Sequence, residues 1–408
     1  MKAMGPIPPG FRAAPDGALS VGGRSVSEWA TEAGTPLFLY EGARIADQVA
    51  RFRACFPDDV ALHYAVKANP YAPLLRWLAP LVDGFDLASL GELERLQQAV
   101  GLEKPVSMAG PGKRDAEIEA AILARVTINL ESEGEAARAL AIADRIGVTP
   151  RLAVRVNPPF ALKGAGMKMG GLASPFGVDS DRAAGLVRTI HAAGADWRGF
   201  HIYAGSQLLH ADVLIDAQRQ TIELAARLAD EAGAAPPEVN LGGGFGIPYA
   251  PGEKPLDVEA VGMALGDALA APDDILRDTR FAIELGRWLV GEAGVYLARV
   301  IDVKESGGKR FAITDGGLQD VLAASGNFGQ LLRRNYPIAN ASRFADEATQ
   351  EITVTGCLCT PLDLLGDEVM MAETQVGDLI AVFCNGAYGL SASPQAFLSQ
   401  PAAAERLV

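Results

Sequence analysis

The chain has 408 residues, more than one ordinary hydrophobic core accommodates, so two domains are expected. Apolar residues make up 49% of it, enough to fill such cores, and a formal charge of −14 argues against nucleic acid as a partner. The cysteines Cys55, Cys357, Cys359 and Cys384 are too sparse and irregular for a disulfide framework, which points to a reducing, cytoplasmic setting.

Residues 1–35 are rich in Gly and Pro and read as an irregular segment that packs with a later β-domain. The stretch has no continuous apolar run of signal-peptide type, and nothing in the chain reaches membrane-spanning length. From Leu37 a strand–helix alternation begins. Leu37–Tyr40, Ala61–Val66, Phe85–Ala88, Val126–Leu130, Leu152–Val156, Trp197–Tyr203, Val239–Leu241 and Phe281–Ile283 read as strands. Helical spacing marks Ala43–Phe56, Pro73–Leu81, Glu92–Ala99, Glu133–Ile146, Arg182–Ala193 and Ala211–Ala232. Parallel strands with helical crossovers follow, and roughly eight units fit a closed (β/α)8 barrel over 36–283, with an open doubly wound sheet as the alternative. Beyond Glu284 the pattern turns strand-rich at Val295–Lys304, Arg310–Thr314, Glu351–Thr355 and Asp378–Phe383, so 284–408 reads as a C-terminal β-domain. The fold class is α/β plus all-β.

In a barrel the chemistry sits just after the strands. Lys67 follows one; a lysine desolvated there loses basicity and can form an imine, although solvent exposure is the commoner fate of such a lysine. Asn240-Leu241-Gly242-Gly243-Gly244-Phe245-Gly246 follows another, and its glycines let backbone N–H groups approach a phosphate. Glu284 and Arg287 follow a third; a buried carboxylate there can hold a pyridinium protonated, whereas a plain Glu–Arg ion pair is the ordinary case. His201 precedes Gly205-Ser206-Gln207, so an imidazole could stack on an aromatic cofactor and a hydroxyl could bind its phosphate. His63, His191 and His210 read as ordinary core or surface histidines. Cys359 could donate a proton if its surroundings allow, although a free cysteine is more often a small hydrophobe. Tyr388, flanked by glycines, could reach a phosphate.

In their order these motifs resemble the pyridoxal-phosphate decarboxylases of the alanine-racemase-like barrel class, which includes diaminopimelate, ornithine and arginine decarboxylases. The resemblance runs from Thr35 to Phe397. It is carried by Tyr64–Asn69, Phe85–Leu93, His201–Gln207, Gly242–Gly246, Glu284–Arg287, Cys359 and Gly386–Gly389. It implies pyridoxal 5′-phosphate as cofactor and removal of an amino acid's α-carboxylate. Lys67 would form the Schiff base, His201 stack on the ring, and Glu284 pair with its nitrogen. Asp86 would lie beside Lys67, and Ser206, Gly243, Gly244, Arg287 and Tyr388 would hold the phosphate. A homodimer with shared sites is also implied, with Cys359 of one chain donating a proton in the other's site, and Thr360, Asp363, Arg334 and Tyr336 as candidate substrate contacts. No metal is implied.

A narrower likeness, to decarboxylases found beside exosortase and exopolysaccharide genes, rests on Thr314–Gly317, Leu322–Gly329 and Cys359–Asp363. Two positions depart from the broader pattern. Diaminopimelate and ornithine decarboxylases carry an acidic residue directly after the cysteine, where this chain has the neutral Thr360. The loop after His201 is one residue longer. The first departure points towards a substrate without a distal ammonium, carrier-tethered for instance, with diaminopimelate as the alternative. An amino-acid racemase on the same barrel is a further alternative, disfavoured because Glu284, not Arg, stands at the ring-nitrogen position.

Overall fold

The computed structural model describes residues 2–162, 167–168, 171, 173–326 and 333–408; positions 327–329 of the Leu322–Gly329 motif therefore lie outside the described residues. The chain forms two compact units, one comprising 48–246 with 256–286, the other 1–47, 247–255 and 287–408.

The first unit is a closed parallel barrel. Its strands are β1 (Ala61–Ala65), β2 (Gly84–Leu87), β3 (Val106–Met108), β4 (Thr127–Leu130), β5 (Arg151–Asn157), β6 (Asp196–Ile202), β7 (Glu238–Asn240) and β8 (Arg280–Leu285). Each pairs in parallel with the next, and β8 pairs with β1 to close the circle. Local chemistry starts and stops the crossover helices. Ser89 and Ser132 accept the Glu92 and Glu135 N–H groups, while those glutamates accept the Ala88 and Glu131 N–H groups, so two helices open with their first donors satisfied. Gly147 and Gly233 end two helices in the left-handed region at φ 67° and 69°. Each helix buries one face; on Ala211–Ala232 it runs through Leu214, Ala217, Thr221, Leu224, Ala225 and Leu228.

The closed barrel is the architecture expected from the alternation, but its membership differs. Leu37–Tyr40 is not a barrel strand: it lies in the other unit, antiparallel to Gly294–Ser306 and parallel to Ala404–Leu407. The strand that replaces it, β3, has three residues, too few for an alternation to stand out. An apolar tetrapeptide is buried equally well in either sheet, so its sequence does not select the partner.

The second unit is a mixed β-sheet. Gly294–Ser306 pairs antiparallel with Leu379–Val382 and Lys309–Thr314; the latter runs parallel to Gln350–Thr355, which pairs antiparallel with Leu364–Met371. Phe38 and Tyr296 pack in its core with ring centroids 4.9 Å apart. Among the described residues, no helix of either unit is long and apolar enough to cross a membrane.

Candidate active site

Strand register assembles the barrel site. Glu284 on β8 stands opposite His63 on β1, Ala65 opposite Asp86 on β2, and His201 on β6 between Arg155 on β5 and Asn240 on β7. Lys67 follows β1 in a short turn, where its side chain remains half exposed at the edge of a cavity of about 240 Å³. Asp86, Arg155, Phe176, His201, Tyr203 and Glu284 border the same cavity.

Glu284 is the hub. It is 7% exposed. Its Oε1 accepts from Lys67 Nζ at 3.2 Å, and its Oε2 lies 2.9 Å from His201 Nε2. Burial would raise its carboxyl, but the Lys67 ammonium and then His201 outweigh burial and hold it well below the ordinary carboxylate value. Lys67 also sits 5.8 Å from the centre of the Tyr203 ring. Asp86 is buried, with Oδ1 accepting from the Ser107 hydroxyl and Oδ2 at an ion-pair distance of 3.7 Å from His63 Nδ1. Burial works against a charge on His63, yet Asp86, with smaller help from Glu238 and Glu284, pushes it up to about 9. Arg155 is held by Glu131 at 3.1 Å, a buried carboxylate that also takes the Gly177 N–H.

The glycine turn after β7 is packed tightly enough to require its glycines. A Cβ on Gly243 would lie 1.8 Å from the Glu284 carbonyl oxygen, and one on Gly244, at φ 86°, 2.3 Å from that of Gly205. Ser206 lies in a two-residue strand paired with Met167–Lys168.

The second unit gathers another group. The Arg287 guanidinium donates to the Tyr249 hydroxyl at 3.0 Å and lies 4.7 Å from the centre of the Tyr388 ring. Tyr336 packs on Tyr249 at 4.7 Å between centroids, and Arg334 pairs with Glu253 at 3.5 Å. Burial pushes the Tyr249 hydroxyl up to about 12, so it stays protonated. Cys359 is exposed. Thr360 accepts the Leu362 N–H at 3.3 Å. Asp363 is placed differently from the substrate contact expected of it: it is 3% exposed, and its two oxygens accept the Leu318 and Leu358 N–H groups at 2.7 and 2.8 Å. Its carboxylate ties two loops together.

Residues 42–291 match the family model described as the pyridoxal-binding domain of the pyridoxal-dependent decarboxylases. The chain belongs to this decarboxylase family. It is 34% identical over 381 residues to the L-glutamyl-[BtrI acyl-carrier protein] decarboxylase of Niallia circulans, covering 91% of this chain and 88% of that one. It is 31% identical over 405 residues to a diaminopimelate decarboxylase of Methanothermobacter thermautotrophicus, covering 96% and 91%. The crystal structure of diaminopimelate decarboxylase from Helicobacter pylori complexed with L-lysine superposes with a TM-score of 0.83 at 26% identity, over 94% of each chain. This member is thus a pyridoxal-phosphate carboxy-lyase acting on an amino-acid-like substrate.

Its own residues fit that cofactor. A lysine amine stands at the cavity edge beside a buried ionised carboxylate, an imidazole borders the same cavity, and a backbone turn follows β7 in which added Cβ atoms would clash. Of the residues singled out from the sequence, the structure brings Lys67, Asp86, His201 and Glu284 to one cavity. The sequence reading does not single out Arg155 or Tyr249, which carry no motif, and it takes His63 for an ordinary core histidine. The signal for His63 is its position just before Tyr64-Ala65-Val66-Lys67, on the inward-facing alternation of β1.

Proposed function

We propose that Lys67 holds pyridoxal phosphate covalently and that this chain removes the α-carboxylate of a bound amino acid or amino-acid derivative. The supporting observation is the Lys67–Glu284–His201 line, with its 3.2 and 2.9 Å contacts. When bound, the cofactor supplies an electron sink for the charge left by departing carbon dioxide. Glu284, kept ionised by the Lys67 ammonium and its contact with His201, would hold a proton at the ring nitrogen and so sustain that sink. Lys67 would provide the amine that holds the cofactor. His201 would lie against the ring, and Asp86, which borders the same cavity, would stand beside Lys67. Ser206, Gly243, Gly244, Arg287 and Tyr388 would be the phosphate-binding residues, the glycines by freeing backbone N–H groups and Arg287 by charge. The chain works as a homodimer in which Cys359 of one copy protonates the product in the other's site.

Borohydride reduction followed by peptide mass spectrometry tests the central assignment. The cofactor's mass should be fixed on the Lys67 peptide, and Lys67→Ala should retain none. Retention on another lysine would overturn the assignment.

For the substrate, the recurrence of relatives named diaminopimelate decarboxylase makes that diamino acid the first to assay. A substrate without a distal ammonium, such as an aminoacyl group on a carrier, is favoured by one observation: Thr360 is neutral and Asp363 is committed to the backbone. Carbon dioxide release from meso-diaminopimelate, set beside release from glutamyl-carrier, separates the two. The likeness to exosortase-associated decarboxylases has only its three segments in support.

A further inference from the structure

Barrels of this kind ordinarily fill their interior with layers of bulky aliphatic side chains. This one does not. Below the site, towards the N-terminal ends of the strands, the interior encloses a cavity of about 390 Å³. Its walls include the small or polar side chains Ser107, Thr127, Asn129, Ala153 and Asn240. Around its lower rim stand Asp59, Arg198, Glu238 and Arg280, of which Asp59 and Arg280 are exposed.

Two buried histidines border this cavity with polar atoms that no described residue satisfies. His201 is 3% exposed; its Nε2 meets Glu284, while its Nδ1 has no hydrogen-bond partner. His63 is 4% exposed, and its Nδ1 likewise lacks one, Asp86 being 3.7 Å away. Arg151, a third lining residue, has an Nε without a hydrogen bond, Asp196 being 3.7 Å away. A buried polar atom without a hydrogen bond is costly, so three around one cavity call for a shared partner. Water is the fitting ligand, because the space exceeds many times the roughly 30 Å³ that one molecule occupies and polar groups line it.

We propose that the barrel lumen is a hydrated chamber, entered from the N-terminal end of the strands, that gives water and protons access to His63 and His201 beneath the site. His201 borders both the lumen and the site cavity, and its Nε2 meets Glu284, so water bound at Nδ1 would be linked through the imidazole to Glu284. Exchange along it balances: a proton given to Nδ1 by water is matched by one leaving Nε2 for Glu284, and the hydroxide left behind is neutralised by exchange at the mouth. The use of the chamber rests on the decarboxylase reading, since replacing a carboxylate by hydrogen consumes one proton per turnover. When cofactor and substrate fill the upper cavity, the lumen remains a separate route for proton exchange.

The test is made on the holoenzyme without turnover. A crystal structure should show ordered water within hydrogen-bonding distance of Nδ1 of His201 and of His63. By NMR of ¹⁵N-histidine protein, Ala153→Leu, which plugs the lumen, should slow solvent exchange of the ring N–H of His63 and His201 about tenfold. The exchange of His191 and His210 should not change, nor should cofactor absorbance. Ala61→Leu is the second plug if the first does not fold. A dry lumen, or exchange unchanged by a folded plug, overturns the proposal. Neither readout requires carbon dioxide release, so failure of the decarboxylase reading would show separately in that assay.

Discussion

Glu284 shows how the burial of one carboxylate sets the character of the barrel site. An isolated buried carboxyl would take up a proton. Lys67 and His201 reverse that tendency, so the residue is an anion despite being buried. His63 is the converse case, a buried imidazole kept charged chiefly by Asp86. Its folded value of about 9 lies above the ordinary 6.5, so its protonation stabilises the fold fully below about pH 6.5, and that contribution is lost as pH rises through 9. Denaturant midpoints should therefore fall between pH 6.5 and 9, and His63→Gln should flatten the slope in that window; an unchanged slope would refute a charged His63. The sequence singles out Lys67, Glu284 and His201 because each belongs to a motif, and the structure places them in contact. It hides the state of His63 because Asp86, which sets that state, comes from another strand and is brought near only by the β1–β2 pairing.

At the level of elements, turns do much of the placing. The glycine run after β7 suits the approach of a phosphate, and the structure adds a second constraint: Gly243 lies against the carbonyl of Glu284 itself, so the turn and the functional carboxylate are packed as one piece. The loop at Cys357–Asp363 is organised in the opposite way, by a buried side chain. Asp363 accepts from Leu318 and Leu358, and burial raises its carboxyl. Asp363→Ala leaves two buried N–H groups unpaired and should cost about 2–6 kcal/mol in urea unfolding. If the residue instead served mainly to bind substrate, KM would rise with stability unchanged. Its place after the cysteine suggests a substrate contact; the partners that claim it are backbone groups, and no side-chain motif announces those.

For the whole molecule, the two units divide the candidate residues. The barrel unit holds Lys67, Asp86, His201, Ser206, Gly243, Gly244 and Glu284, and the β unit holds Arg287, Arg334, Tyr336, Cys359, Thr360, Asp363 and Tyr388. The proposed homodimer makes a quantitative prediction. Coexpressed Lys67→Ala and Cys359→Ala chains, each inactive or nearly so, should recover about a quarter of wild-type activity, since half the dimers are mixed and each of those has one intact site. No recovery in dimers shown to be mixed would mean that each site draws Cys359 from its own chain.

The sequence by itself determined the alternation of strands and helices, the change to β-structure after Glu284, and the order of motifs that marks a pyridoxal-phosphate decarboxylase. These are local properties, written in side-chain period and in short runs of neighbours. Only the tertiary structure decided that Leu37–Tyr40 leaves the barrel and Val106–Met108 enters it, that Asp363 is buried, that His63 faces Asp86, and that the barrel interior is hollow and polar. Each of these depends on which distant residue becomes a neighbour, and pairing across a sheet is settled by register and closure rather than by the residues of one strand.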